Sequence, residues 1–165
     1  LDRQRTELRR IDLFAVATGP GSFTGLRIGI ATMQGLALAE GKPLAGVSAF
    51  DALRALAGAD SVAVWIDAWR GEVYAAAWAG GHPAGEPVVA PPDTAPRAGV
   101  YIGDGAVRYR DRLGADRVIE PTPLLAGAVA RLACARASRG ELPPPHAIRP
   151  LYVRRPDAEL ARERR

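Results

Sequence analysis

Few side chains in this sequence have the types and the spacing that catalysis requires. The two histidines, His82 and His146, each adjoin a proline in a segment predicted to be a loop. No cluster of His, Cys, Asp and Glu has the spacing of metal ligands. The single cysteine, Cys134, lies in the apolar run LAGAVARLACARA and is interpreted as a packed core thiol. These residues indicate neither a metal centre nor thiol chemistry.

One pair of carboxylates has a spacing that could support acid–base chemistry. Asp67 and Glu72 flank a short turn that contains Arg70 and Gly71. A pair of this kind can exchange a proton with a substrate when it lies in a cleft. Acidic residues beside turns more often accept hydrogen bonds from the turn backbone, so we interpret both residues as structural.

The segment GPGSFTG at residues 19–25 lies between a strand pattern and a helix pattern, a layout that can hold phosphate on free backbone amides. Its spacing differs by one residue from the dinucleotide fingerprint, and no acid ends the next strand. No Lys-Ser or Lys-Thr follows, so it is not a P-loop. Two interpretations stay open: a nucleotide loop formed by Gly19, Gly21 and Ser22, and a tight structural turn, which the pattern favours.

Strand and helix patterns alternate in the first part of the chain and strands dominate the second, which predicts an α/β fold. The predicted strands cover 11–18, 43–47, 62–67, 72–78 and 100–103, with a short edge strand at 87–89 and a last edge contact at 151–154. The predicted helices cover 22–40, 51–57 and 123–138, and residues 142–150 are predicted to be extended. A hinge at 58–61 divides a first lobe (1–58) from a smaller second lobe with a C-terminal tail (59–165).

The first predicted helix is apolar around most of its circumference. At about 100° per residue it has two apolar faces. One gathers Gly25, Ile28, Gly29, Thr32, Leu36 and Ala39, and the other gathers Phe23, Leu26, Ile30, Met33 and Ala37. One sheet covers only one side of such a helix, and small residues four apart let another backbone approach closely. A central core helix and a partner interface fit this pattern equally well.

The composition is that of a globular protein, with 48% hydrophobic and 24% charged residues. No apolar stretch reaches the roughly 20 residues that span a bilayer, and the N-terminal segment lacks the apolar core of a secretory signal. These features predict a cytoplasmic protein. Part of the net charge of +4 lies in terminal arginines, which leaves open an RNA contact, although no aromatic residues are interleaved with them.

Four segments of the sequence have a specific pattern. The first and most specific is GPGSFTGLRIGIATMQGLALAEGKPLAGVSAFDAL at 19–53. The others are DAWRGEVYAAAW at 67–78, VYIGDGA at 100–106 and RPLYVRRPDAE at 149–159. In these segments and in their order, the chain resembles the TsaB/YeaZ family. The resemblance implies the actin-like ATPase (ribonuclease H-like) fold, and a non-catalytic paralogue of the catalytic subunit TsaD. The family normally opens with further strands and a long helix that do not precede residue 11, so an incomplete first lobe is expected.

The resemblance also implies what the chain lacks. Related catalytic proteins carry two metal-binding histidines four residues apart, and by that comparison Ala49 and Leu53 occupy those positions. Neither side chain can bind a metal, which argues against the glycoprotease (peptidase M22) activity sometimes ascribed to such sequences. The family comparison therefore implies no catalytic residue and no cofactor bound by this chain alone, with ATP or ADP at the complex interface left open.

The function that the resemblance implies is that of a subunit that binds and organises TsaD, which transfers a threonylcarbamoyl group to adenosine 37 of tRNA. The ATPase TsaE would join the assembly, tRNA would be reached through the complex, a homodimer is a second mode, and no membrane is involved. The expected interface residues are Phe23, Gly25, Leu26, Arg27, Gly29, Ile30, Met33 and Gln34. The alternatives are a standalone nucleotide-binding enzyme that uses the GPGSFTG loop and an RNA-binding module.

Overall fold

The computed structural model describes residues 7–114, 117–120 and 125–154, which form two β-sheets and their covering helices. The strands are β1 (Phe14–Gly19), β2 (Leu44–Ser48), β3 (Val62–Asp67), β4 (Val73–Ala79), β5 (His82–Pro83), β6 (Val88–Ala90), β7 (Val100–Ile102) and β8 (Arg117–Ile119). The α-helices are α1 (Phe23–Ala39), α2 (Ala49–Ala57), α3 (Asp104–Arg108) and α4 (Leu125–Ser138). Short 3-10 turns occur at Leu8–Arg10, Arg110–Arg112 and Pro145–Ala147.

The first sheet consists of β1 and β2, which pair in parallel with Phe14 opposite Leu44. Helix α1 covers one face of this sheet through a core that includes Ile30 and Ala37. Helices α2 and α4 cover the other face. Because both faces are buried, both strands carry near-continuous apolar runs rather than an alternating pattern.

The second sheet has the order β5-β4-β3-β7-β8, and β6 also pairs with β4. The central strand β3 pairs antiparallel with β4 and parallel with β7. Its Trp65 is fully buried, donates from Nε1 to the Pro96 carbonyl at 2.8 Å and meets the Tyr101 ring edge-on at 5.1 Å between centroids. The predicted bounds of this strand, 62–67, are confirmed.

Helix α2 joins the cores of the two sheets. Its Ala52 faces the first-sheet core, whereas Phe50 and Leu53 face the core of the second. The helix begins at Ala49, two residues before the predicted start, because the Ser48 hydroxyl accepts a hydrogen bond from the Phe50 amide at 3.1 Å. The two sheets are therefore packed through one shared helix.

Helix α4 returns to the first sheet, although the sequence-based division places residues 125–138 in the second lobe. It packs against α2, β1 and β2, and its Arg136 pairs with Asp51 of α2 at 3.1 Å. The placement of this helix in the second lobe is corrected by these contacts. Its apolar face fits either core, so the sequence pattern could not decide which core it joins.

Several other sequence predictions differ from the structure. Strand β1 begins at Phe14 rather than Ile11, since its pairing with β2 starts at Phe14, opposite Leu44. Helix α3 and strand β8 were not predicted, and Pro145–Ala147 turns within the segment predicted to be extended. The predicted start of α4 at residue 123 lies outside the described residues. None of the described helices is long and apolar enough to cross a membrane.

The contact between β3 and the turn after β7 generates a test of this packing. Gly103 has a φ of 117°, and a Cβ added there would lie 2.1 Å from the Trp65 carbonyl oxygen. Because backbone atoms cannot rotate away as side chains do, Gly103→Ala is expected to lower the free energy of unfolding by on the order of 3 kcal/mol.

Urea denaturation of the variant and the parent protein measures this change. The matched control is Gly99→Ala, where an added Cβ would meet no atom within 4 Å. The control is expected to change stability by no more than about 0.5 kcal/mol. Equal effects of the two substitutions would contradict the packing at Gly103.

Candidate protein interface

Helix α1 begins after a serine cap and ends just before a glycine. The Ser22 hydroxyl accepts a hydrogen bond from the Gly25 amide at 3.3 Å. After the last turn, Gly41 adopts a φ of 61°, a conformation that favours glycine. The predicted helix over 22–40 is therefore confirmed to within its two cap residues.

The inner face of α1 packs on the first sheet. Ile30 is 4% exposed and Ala37 is 1% exposed, and both contact the core that contains Phe14 and Leu44. Met33 and Leu36 are half-buried against the same core. The apolar side chains on this side of the helix are therefore covered by the chain itself.

The outer face of α1 is exposed and carries no charged side chain. Two of its residues are large and apolar: Ile28 is 63% exposed and Leu38 is 81% exposed. The other members of the outer face are small and exposed: Thr24, Gly25, Ala31, Thr32, Gly35 and Ala39. Contiguous exposed apolar surface on a soluble protein is typical of an interaction site.

The glycines of α1 are not explained by packing within the described chain. A Cβ added at Gly29 or Gly35 would meet no atom within 4 Å, and one added at Gly25 would meet only Ser22, at 3.5 Å. Glycine in a helix interior costs about 1 kcal/mol relative to alanine. By contrast, a Cβ at Gly46 of β2 would lie 2.8 Å from Thr18, so internal packing does explain that glycine. The helix glycines leave room for another chain to approach.

The eight expected interface residues lie on different sides of the helix. Phe23, Gly25 and Arg27 are exposed. Leu26, Gly29, Met33 and Gln34 are half-buried, and Ile30 lies in the core. The expected set does not include Ile28, Gly35 and Leu38, which are exposed on the same helix. In the sequence, Ile28 lies on the same small-residue stripe as Gly25 and Thr32.

Gln34 holds the C-terminal segment against α1. Its Nε2 donates hydrogen bonds to the Pro145 carbonyl at 2.8 Å and to the Ile148 carbonyl at 3.1 Å. Further along, the Leu151 amide donates to the Thr18 carbonyl at 2.7 Å. The predicted edge contact of residues 151–154 is thus made at the end of β1, and the Nε2 of Gln34 donates within the chain.

A cluster of Phe23, Arg27 and Tyr152, called here the aromatic–arginine cluster, lies at the start of α1. The Arg27 guanidinium carbon lies 3.7 Å from the centroid of the Phe23 ring. Its Nε donates to the Tyr152 hydroxyl at 2.8 Å, and the two aromatic rings are 5.2 Å apart between centroids. Both rings are partly exposed. The C-terminal segment thereby contributes a side chain to the surface beside the outer face of α1.

The GPGSFTG loop has structural roles for two of its three candidate phosphate-binding residues. Gly19 has a φ of 107°, and a Cβ there would lie 2.8 Å from the Leu26 side chain. The hydroxyl of Ser22 caps α1. A Cβ added at Gly21 would meet no atom within 4 Å. The tight turn accounts for Gly19 and Ser22, and nucleotide binding by this loop stays a prediction.

The candidate acid–base pair is engaged in structural contacts. Asp67 pairs with Arg108 at 2.7 Å and accepts a hydrogen bond from the Trp69 amide at 3.2 Å. Glu72 pairs with Arg154, which also donates to the Ala68 carbonyl at 3.1 Å. These contacts hold the turn between β3 and β4.

The positions compared with metal-binding histidines lie in apolar surroundings. Ala49 and Leu53 are each 6% exposed, and Leu53 belongs to the core between α2 and the second sheet. Within the described ranges, no group of three or more His, Cys, Asp or Glu is placed to hold a metal ion.

The interpretation of Cys134 as a core thiol is wrong, because its side chain is exposed. The buried side of α4 is formed by Ala128, Val129 and Ala133. Cys134 follows Ala133 directly and turns to solvent, a distinction that an alanine-rich helix pattern does not reveal.

The matching family model and similar proteins of known sequence relate this chain to the same group of proteins. The family model described as "TsaD: tRNA N6-adenosine threonylcarbamoyltransferase" matches residues 1–86, more than half of the 165-residue chain. The Escherichia coli tRNA threonylcarbamoyladenosine biosynthesis protein TsaB is 48% identical over 73 residues, 42% of this chain and 32% of that protein. An uncharacterized protein of Mycobacterium leprae is 36% identical over 152 residues, 90% of this chain but 40% of that protein. The chain thus spans less than half the length of these two relatives.

Among solved structures, YeaZ from Pseudomonas aeruginosa matches with a TM-score of 0.74 and 32% identity, covering 92% of this chain and 78% of that one. The likeness extends over both sheets, and it confirms the α/β fold expected from the sequence. Together, the family model, the matching segments and the shared structure show that this chain belongs to the TsaB/YeaZ family.

Proposed function

We propose that this chain is a non-catalytic subunit that binds a TsaD-type catalytic subunit through the outer face of α1. In that role it supports threonylcarbamoyl transfer to adenosine 37 of tRNA. The observation that carries the proposal is the uncovered apolar surface of α1, where Ile28 and Leu38 are 63% and 81% exposed. The similarity to E. coli TsaB, which is named for threonylcarbamoyladenosine biosynthesis, supports a role in that pathway.

The form of the outer face supports a helix as the partner element. The surface of α1 is recessed at Gly25 and Gly35, because glycine has no side chain. The side chains of Ile28 and Leu38 project beside these recesses. A neighbouring helix can place its side chains over the glycines and cover the two large residues at the same time. Full burial of each large residue contributes about 1.5–3 kcal/mol.

A scaffold role also agrees with the side chains that lie elsewhere. Asp67 and Glu72 are held in ion pairs, and Ala49 and Leu53 are apolar and buried. The family relationship further supports an actin-like fold for the whole protein, a cytoplasmic location, and contact with a TsaE-type ATPase and tRNA through the complex. ATP or ADP at the complex interface belongs to the same proposal.

Replacing Gly35 separates folding from partner binding. Gly35→Ala is expected to raise the free energy of unfolding of this chain by up to about 1 kcal/mol, because alanine favours the helix and its Cβ meets no atom. Gly35→Leu is expected to fold equally well but to weaken binding of the TsaD-type subunit by about ten-fold or more, since a bulky side chain blocks close approach. Urea denaturation and calorimetric titration measure the two effects.

The matched control for Gly35→Leu is Ala130→Leu, which enlarges an exposed position on α4. It is expected to leave partner affinity unchanged. Unchanged affinity in Gly35→Leu would show that the outer face of α1 is not the binding surface.

A charge at Ile28 tests the link to tRNA modification. Ile28→Glu is expected to lower threonylcarbamoylation by the reconstituted system, because a carboxylate buried at the interface without a partner is strongly unfavourable. Val107→Glu is the matched control, since Val107 is an exposed apolar residue on α3. A radiolabelled tRNA assay at subunit concentrations near the dissociation constant gives the readout. Equal activity of both variants with wild type would count against the proposed role.

A further inference from the structure

We infer that Arg27 and Tyr152 together bind a carboxylate of the partner subunit at the edge of the outer face of α1. This inference rests on the proposed function and specifies the partner's chemistry at one point of the interface. The contact joins the first turns of α1 to the C-terminal segment, which are 125 residues apart in the chain.

The guanidinium of Arg27 is held in place before any partner binds. The Phe23 ring lies 3.7 Å from its central carbon on one side, and the Tyr152 hydroxyl accepts its Nε hydrogen at 2.8 Å. Tyr152 is itself fixed, because the neighbouring Leu151 amide is bonded to the Thr18 carbonyl. A side chain ordered in this way loses little conformational entropy when it binds, which raises the affinity it can contribute.

The hydrogen-bond inventory of this cluster has unused donors. Arg27 carries five N–H groups, of which the contact with Tyr152 uses the one on Nε. In the described ranges, no carboxylate pairs with Arg27 and no other acceptor meets its remaining N–H groups. The Tyr152 oxygen acts as an acceptor toward Arg27, so its own hydrogen stays available as a donor.

Within the part of the chain that the structure describes, other arginines, unlike Arg27, have carboxylate partners. Arg108, Arg112 and Arg136 are paired with carboxylates at 2.7, 3.0 and 3.1 Å. Arg27 is exposed, ordered and lacks such a partner among the described residues. A carboxylate takes two parallel hydrogen bonds from a guanidinium, and the Tyr152 hydroxyl can donate a third.

The surroundings favour a protein carboxylate over an RNA phosphate. Arg27 immediately precedes Ile28 and lies one helical turn before Ala31, so it borders the uncharged outer face of α1. Protein interfaces combine an apolar centre with arginine and aromatic anchors. Binding along an RNA backbone requires several cations that follow the phosphates, and the outer face presents none.

The test is the affinity of the full chain for its TsaD-type subunit at low and high ionic strength. Between about 0.01 M and 1 M salt, screening shortens the range of charge interactions from about 30 Å to about 3 Å. For the wild type, affinity is expected to fall as salt rises. Arg27→Gln is expected to weaken binding about ten-fold or more at low salt and to lose most of the salt dependence. Tyr152→Phe keeps the ring and removes the hydroxyl, so a smaller loss is expected.

The control variant is Arg139→Gln, which removes an exposed arginine just beyond the C-terminal end of α4. Arg139 already pairs with Glu141 at 2.7 Å, and its hydrogen bond lowers the pKa of that carboxyl. Loss of this arginine is expected to change neither the affinity for the partner nor its salt dependence.

Three results would overturn the inference while leaving the proposed function intact. Unchanged affinity for the subunit together with unchanged tRNA binding in Arg27→Gln would mean that the cluster only anchors the C-terminal segment. Weaker binding with the salt dependence of the wild type would mean that Arg27 acts through packing alone. Normal pairing with loss of tRNA binding would assign the cluster to a phosphate. If the wild type itself does not pair with the TsaD-type subunit, the proposed function fails and this inference fails with it.

Discussion

Helix α1 has more apolar surface than the first sheet beneath it can cover. The contacts of the other elements hold the helix with this excess apolar surface exposed. Its inner face packs Ile30 and Ala37 against β1 and β2. Its outer face leaves Ile28 and Leu38 in water, although burial of each would contribute about 1.5–3 kcal/mol. Exposed apolar surface of this kind is typical of interaction sites, and on this ground we propose that another chain covers the outer face.

The remaining elements hold α1 in one position. Helices α2 and α4 cover the opposite face of the first sheet, and α2 also packs on the second sheet. The C-terminal segment is bonded to α1 through Gln34 and to the end of β1 through the Leu151 amide. Arg154 extends these contacts to the turn between β3 and β4. A helix fixed from several directions can bind a partner without a large loss of conformational freedom.

Strong local signals explain which parts of the fold could be predicted from the sequence. Strand β3 is a continuous apolar run bounded by turn residues, and α1 has a serine cap and a glycine stop, so both were located closely. Helix α3 and strand β8 are too short to show a period, and neighbouring strands and turns fix them instead. The lobe that α4 joins depends on contacts with Asp51 and β2 that no local pattern encodes.

The candidate site shows the same division between local and distant information. The small-residue stripe of α1 was visible in the sequence. Which residues of the helix are exposed depends on where the first sheet packs, and the sheet buries Ile30 while Ile28 faces solvent. The contact between Arg27 and Tyr152 joins residues far apart in the chain, so spacing could not predict it. Cys134 was misplaced because an alanine-rich helix gives little contrast between its two sides.

The most direct test of the central claim is the rate of thiol alkylation at an Ile28→Cys substitution, with and without the TsaD-type subunit. The natural Cys134 is exposed on α4 and provides an internal reference in the same molecule. If the partner covers the outer face of α1, the subunit should slow alkylation at position 28 severalfold and leave the rate at Cys134 unchanged. Equal rates at position 28 in a solution where the two subunits form a complex would contradict the account.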